Sequence, residues 1–153
     1  DYLSYLDQVH TYLSIAAPSM ELAVDVPFWW DKTEFQIVFD GQKKLFVEHV
    51  KDRVDWLGIM TYRRDTREIV KLVATELNYA SKFGHLRSVA PSMETGNISG
   101  KEAYISFGGV PVKQFRSSLN SLRNTYANNP YVRCIMLHHY DSLRAYLDET
   151  FSQ

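Results

Sequence analysis

The 153 residues carry 17 Lys or Arg against 18 Asp or Glu, a formal net charge of −1. That near-neutral balance supplies no basic field for nucleic acid or anionic lipid, so neither is expected as a partner. With 45% hydrophobic and 23% charged residues the composition is that of a globular protein, its length suits one domain over 1–153 rather than two, and no run approaches the ~20 apolar residues of a membrane span.

From the N-terminus, Leu3, Leu6, Val9 and Leu13 recur at three- and four-residue steps and predict an amphipathic helix ended by Pro18 and Ser19. The opening DYLSYLDQVH lacks the layout of a signal peptide and reads as a domain cut open, beginning directly in a helix. Glu21 to Trp30 follows with strand periodicity: Leu22, Val24 and Val26 alternate with Ala23, Asp25 and Pro27. A looser segment, DKTEFQIVFDGQ, leads to a predicted helix from Lys43 to Lys51. Asp55 to Tyr62, nearly all apolar, reads as a parallel strand covered on both faces. Asp65 and Glu68 have the spacing of a reciprocal helix cap, opening a helix along Ile69, Val73, Leu77 and Ala80 that Gly84 ends.

The pattern then repeats. Leu86 to Glu94 is the third predicted strand, a glycine-containing loop with a short extended piece AYISF follows, and a helix carries Phe115, Leu119, Leu122 and Tyr126. Arg133 to His138 is the fourth strand, with Cys134 in its interior as inert core, and Ser142 is placed to cap a last helix containing Leu143, Tyr146 and Leu147. Strands alternating with helices imply right-handed crossovers and a parallel α/β sheet.

In such a sheet function collects where the strands end. The four endings are PFWWD, IMTYRR, PSMETG and LHHYDS. Alternation places Ala23, Asp25, Pro27 and Trp29 on one face, with Gly58, Met60 and Tyr62, then Ser88, Ala90, Ser92 and Glu94, then Cys134, Met136, His138 and Tyr140. Each set puts small or adaptable residues below and polar ones at the rim.

These endings resemble strands five to eight of TIM-barrel glycoside hydrolases. Met60 to Tyr62 is similar to the strand-six ending of chitinase-type barrels, and HHYDS resembles the last strand of bacterial glycosidase-like barrels. The resemblance implies the C-terminal half of a (β/α)8 barrel, with Glu94 at the strand-seven position of the catalytic nucleophile or base. It also favours an extracellular setting, which the residues themselves leave open, since the single cysteine cannot form an intrachain disulfide. The partner acid of that family sits at strand four, outside this chain.

Glycoside hydrolysis ordinarily uses two carboxyl groups across the scissile bond, and Asp25 is the other carboxylate expected on the inner face. Asp25, Trp29, Tyr62, Arg63, His138 and Tyr140 are candidate ligand-binding residues: the tyrosines as hydroxyl donors, Trp29 as a platform for a sugar ring, Arg63 with Arg64 as a clamp for an acidic sugar. Each has a plainer reading as packing or as a solvated charge. For Glu94 that plainer reading is an exposed loop carboxylate or one paired with Arg63 or Arg64. His138 and His139, adjacent on a strand, are expected on opposite faces and so do not suggest a metal site. No GxGxxG or GxxxxGK motif is present, and no cofactor is expected.

A complete barrel needs about 250 residues, and four open parallel strands leave two unpaired edges and an apolar face. The expected partners are therefore a carbohydrate ligand and a covering half-barrel, supplied by the same polypeptide, by another chain, or by a homodimer. The alternatives are a non-catalytic carbohydrate-binding or structural protein on the same partial barrel, and a self-contained open sheet.

Overall fold

The computed structural model describes residues 1–151, with backbone alone for 149–151. Helix α1 (Tyr2–Ala16) opens with the Asp1 carboxylate accepting from the Ser4 backbone N–H at 2.9 Å, which satisfies one of the donors a helix start leaves free. Strand β1 covers Ala23–Pro27 and β4 covers Trp56–Met60; between them run the strands β2 (Gln36–Phe39) and β3 (Gln42–Leu45) and helix α2 (Phe46–Lys51). Helices α3 (Thr66–Leu72) and α4 (Ala74–Phe83) lead to β5 (Val89–Glu94), and α5 (Val112–Tyr126) leads to β6 (Met136–His138) and α6 (Tyr140–Phe151).

The expected α/β architecture of parallel strands alternating with helices is present. β1, β4, β5 and β6 form one parallel sheet in that order. Each strand joins the side of its predecessor, so right-handed crossovers carry the covering helices onto the same face. The packing agrees: Val26, Leu57, Ile59, Val89 and Met93 are all 0% exposed. They form one cluster with Leu6, Val47, Val50, Ile69, Val73, Phe115 and Leu122 from the helices. Full burial of such a side chain stabilises by roughly 1.5–3 kcal/mol. Asp25, Gly58, Met60, Ala90, Ser92, Met136 and His138, of the opposite parity, take no part in that cluster.

Local structure departs from the sequence expectation at several points. The looser segment after β1 is a β-hairpin, β2 pairing antiparallel with β3. Its two-residue turn is Asp40–Gly41, both at positive φ (49° and 71°), the backbone that Asp-Gly favours between strands. Lys43 and Lys44 therefore lie in β3, and the helix expected from Lys43 begins only at Phe46. The helix from Asp65 breaks at Val73, whose φ of −108° and ψ of 1° leave the helical region. Asp65 does cap α3, accepting from the Arg67 N–H at 2.9 Å. Glu68 instead reaches Lys71 at 3.1 Å. Gly84 ends α4 at φ 72° as expected. Of the segment AYISF, Ala103–Ile105 belongs to a 3-10 helix over Gly100–Ile105, and Ser106 is extended and bridges Glu94 in parallel.

The strands are also shorter than expected at their ends. β1 stops at Pro27, and Phe28–Asp31 coils into a 3-10 turn, so strand alternation does not govern Trp29. β5 starts at Val89 and leaves Leu86 exposed. Before β6, Val89 bridges Val132 whereas Ser92 pairs with Met136, so one chain uses four residues where the other uses three. That bulge falls in the stretch containing Cys134, which is exposed rather than core.

Candidate functional site

Glu94 is the last residue of β5 and pairs in register with His138, the last residue of β6. Both point away from the helix-covered face, as alternation predicts. The Glu94 side chain is 8% exposed and that of His138 is 50% exposed. One carboxylate oxygen, Oε2, lies 2.6 Å from His138 Nδ1, and the other, Oε1, accepts from the Gly96 backbone N–H at 2.5 Å. Neither Arg63 nor Arg64 is the partner of Glu94.

The loop after β5 is built to hold that carboxylate. The Glu94 carbonyl accepts from the Phe107 N–H at 2.8 Å, and Phe107 is fully buried against Phe115. The Ser106 hydroxyl donates to the Gly96 carbonyl and accepts from the Gly108 N–H at 3.0 Å. Arg64 clasps the same loop, donating to the Ser106 carbonyl and to the Gly108 carbonyl at 3.3 Å. On the other side, the Thr95 N–H and hydroxyl both donate to the His138 carbonyl, at 2.8 and 2.9 Å. The Thr95 hydroxyl also lies 2.8 Å from that of Ser142. Ser142 is the third residue of α6, and its hydroxyl accepts from the His139 N–H and donates to the His139 carbonyl, so it caps the helix from within the first turn.

Tyr62 stands two residues beyond β4. Its position is fixed by Thr61, whose buried hydroxyl donates to the Ser92 carbonyl at 2.8 Å and accepts from the Ser92 N–H at 3.0 Å. The Tyr62 ring tilts over His138, centroids 5.5 Å apart. Burial, and after it the negative charges of Glu94 and Asp25, pushes the Tyr62 hydroxyl up to about 12, so it stays protonated across the physiological range. Tyr62, Glu94 and His138 therefore form one cluster at the strand ends.

The other candidates stand in different places. Asp25 lies level with Gly58 and Ala90 in the sheet, four residues below Glu94, or roughly 13 Å along the strand axis at 3.3 Å per residue. It is exposed. A Cβ on Gly58 would stand 2.0 Å from Asp25 Oδ1 and 2.8 Å from Met136 Sδ, so the absence of a side chain there makes room for both. Arg63 is not a free clamp: its guanidinium stacks between Phe28 and Tyr104, 5.1 and 5.2 Å from their centroids, and donates to the Tyr62 carbonyl at 2.6 Å. Trp29 is 43% exposed and packs edge-on to Phe28; Trp30 turns the other way, against Phe46 and Tyr2. Tyr140 is the first residue of α6 and 71% exposed, so it is not a rim residue of a strand.

His138 and His139 are not split between two faces, because β6 ends at His138; their ring centroids are 5.1 Å apart. Among the described residues no group of three or more His, Cys, Asp or Glu is arranged to hold a metal ion, and no helix is long and apolar enough to cross a membrane.

The chain matches no family model, curated protein or solved structure. What can be said of this site therefore rests on its own geometry. The sequence pointed to Glu94, His138 and Tyr62, and to Arg64 as a ligand clamp rather than as the clasp of the loop, but not to Thr61, Gly96, Ser106 and Gly108, which hold the site. The signal available for the glycines was the loop itself, where small residues let two backbone segments approach closely.

Proposed function

We propose that this chain is the C-terminal half of a (β/α)8 barrel of glycoside-hydrolase type, and that its strand ends bind a poly- or oligosaccharide. The observation that carries this reading is the Glu94 carboxylate, held on both oxygens at the C-terminal end of a parallel strand, on the face the helices do not cover. Sequential parallel strands with their helices on one side form the sector from which such a barrel is built. Tyr62 and His138 offer hydroxyl and imidazole groups suited to sugar hydroxyls. Glu94 is the nucleophile or base of this reading. A covering half-barrel, in the same or another chain or in a second copy, supplies the partner acid.

A second reading has its own support. Asp25, the other carboxylate of this face, lies four residues down the sheet from Glu94, whereas hydrolysis needs its two carboxyl groups roughly 5–9.5 Å apart at one level. Without an acid from the covering half, the site binds sugar and does not cleave it.

An oligosaccharide panel, assayed by calorimetric titration and by release of reducing ends, separates these readings. Binding that weakens at least tenfold, about 1.4 kcal/mol, in Glu94→Ala is the expected result. If hydrolysis is present, Glu94→Gln lowers its rate by about 10²–10⁴-fold. A protein that binds no member of the panel, or binds equally well in Glu94→Ala, removes the carbohydrate reading of this site.

A further inference from the structure

We infer that Glu94 and His138 act as a carboxylate–imidazole pair in which Glu94 fixes the tautomer of His138, so that His138 Nε2 presents an unprotonated lone pair as the proton-accepting group of the site. The inference deepens the carbohydrate reading, on which it rests for the identity of the ligand: the class of group recognised is a hydroxyl, of a sugar or of a water, that donates to Nε2.

The argument begins with the two oxygens of Glu94. Oε1 is taken by the Gly96 N–H at 2.5 Å, a backbone donor that the Ser106 and Gly108 contacts hold in place. Oε2 faces His138 Nδ1 at 2.6 Å. An ionised carboxylate only accepts hydrogen bonds, so Nδ1 must carry the proton. In a neutral imidazole the other nitrogen is then an acceptor, and the bond made by one ring nitrogen determines the state of the other. The Tyr62 ring stacked at 5.5 Å and the His138 carbonyl bound by Thr95 hold the imidazole and its backbone. The histidine side chain remains 50% exposed whereas Glu94 is 8% exposed, so the imidazole is the member of the pair that meets ligand, and of the two roles proposed for Glu94 the geometry selects the base, acting through His138. In the hydrolytic step this arrangement serves, a water passes its proton to Nε2 as its oxygen bonds to the anomeric carbon and the glycosidic C–O bond breaks, and the imidazolium formed is stabilised by the Glu94 charge. The departing oxygen takes its proton from the partner acid of the covering half, and His138 releases the proton it gained to solvent, from which that acid is reprotonated, so none is gained or lost over the cycle.

The geometry makes a sharp statement about one variant. In Glu94→Gln the Gly96 N–H still requires an acceptor, which fixes the amide oxygen toward Gly96 and turns the amide NH2 toward His138. That NH2 donates to Nδ1 and drives the proton to Nε2, reversing the tautomer.

Long-range proton–nitrogen correlation spectra of the ¹⁵N-histidine-labelled chain at pH 8 test this, with His138→Gln assigning the resonances. The expected wild-type spectrum has a protonated Nδ1 and an unprotonated Nε2 for His138, with the pattern exchanged in Glu94→Gln. A wild-type His138 protonated at Nε2, alone or with Nδ1, overturns the inference whether or not the variant folds. So does a folded Glu94→Gln with an unchanged pattern. The measurement needs no glycan, so it can fail while carbohydrate binding stands, and the reverse.

Discussion

Replacing Gly108 by alanine is expected to lower the unfolding free energy by about 1–3 kcal/mol or more and to disturb Glu94, which it never touches. A Cβ at this position would stand 2.1 Å from the Gly96 carbonyl oxygen, 2.5 Å from the Gly96 carbonyl carbon and 2.7 Å from the Asn97 nitrogen. All three are backbone atoms, so no side-chain rotation relieves the clash; one of the two loop segments must move. The segment at risk is the one whose Gly96 N–H binds Glu94 Oε1 and whose Gly96 carbonyl accepts from Ser106. Gly58 offers a contrast, since an added Cβ there meets the ends of the Asp25 and Met136 side chains, which can turn aside. Denaturant unfolding measures the first effect for Gly108→Ala, and the His138 imidazole resonances report the second. A variant with wild-type stability and unmoved His138 signals would show that the loop does not hold the carboxylate.

The parts of this site that were legible in the sequence are those set by alternation along a strand. Glu94 and His138 each occupy a predicted inner position, and the register pairs them directly. What alternation does not convey is register between strands. The bulge before β6 gives that chain four residues against three on β5; without it the residue opposite Glu94 would be Leu137, which faces the helices. The same bulge explains the misplacement of Cys134. Trp29 and Tyr140 failed as rim residues for a different reason: β1 and β6 stop before reaching them, and a helical or 3-10 path has another period. Asp40–Gly41 carries the turn signal of the β2–β3 hairpin, but the flanking segments QIVF and QKKL are together only half apolar and give the strands little signal of their own.

The largest effect of pH on stability is expected from a residue far from the strand ends. Glu76, on α4, is 3% exposed, and neither carboxylate oxygen has a hydrogen-bond partner among the described residues. It lines a small cavity together with Val47, Glu48, Lys51, Leu57, Thr75 and Tyr79. Burial pushes its carboxyl up from 4.5 to about 8; its own backbone N–H opposes the shift, and the charge of Asp31, a smaller effect, adds to it. The folded chain therefore keeps this proton where the unfolded chain releases it. Stability from this group is complete below the unfolded value of 4.5 and is lost as pH rises through about 8. The slope approaches about 1.4 kcal/mol per pH unit, and the total is on the order of 5 kcal/mol. Two neighbouring groups act in the opposite sense: burial lowers both His85 and Lys51, so the unfolded chain binds the extra proton and stability rises with pH, near the imidazole range for His85 and on the alkaline side for Lys51. The difference between wild type and Glu76→Gln, measured by denaturant unfolding from pH 5 to pH 9, removes those contributions and isolates Glu76. Wild type should lose stability relative to the variant steadily up to about pH 8 and then run parallel to it. Curves parallel over the whole range would mean that Glu76 is ionised in the folded protein, and hence that its burial is relieved by a partner that the described residues do not supply.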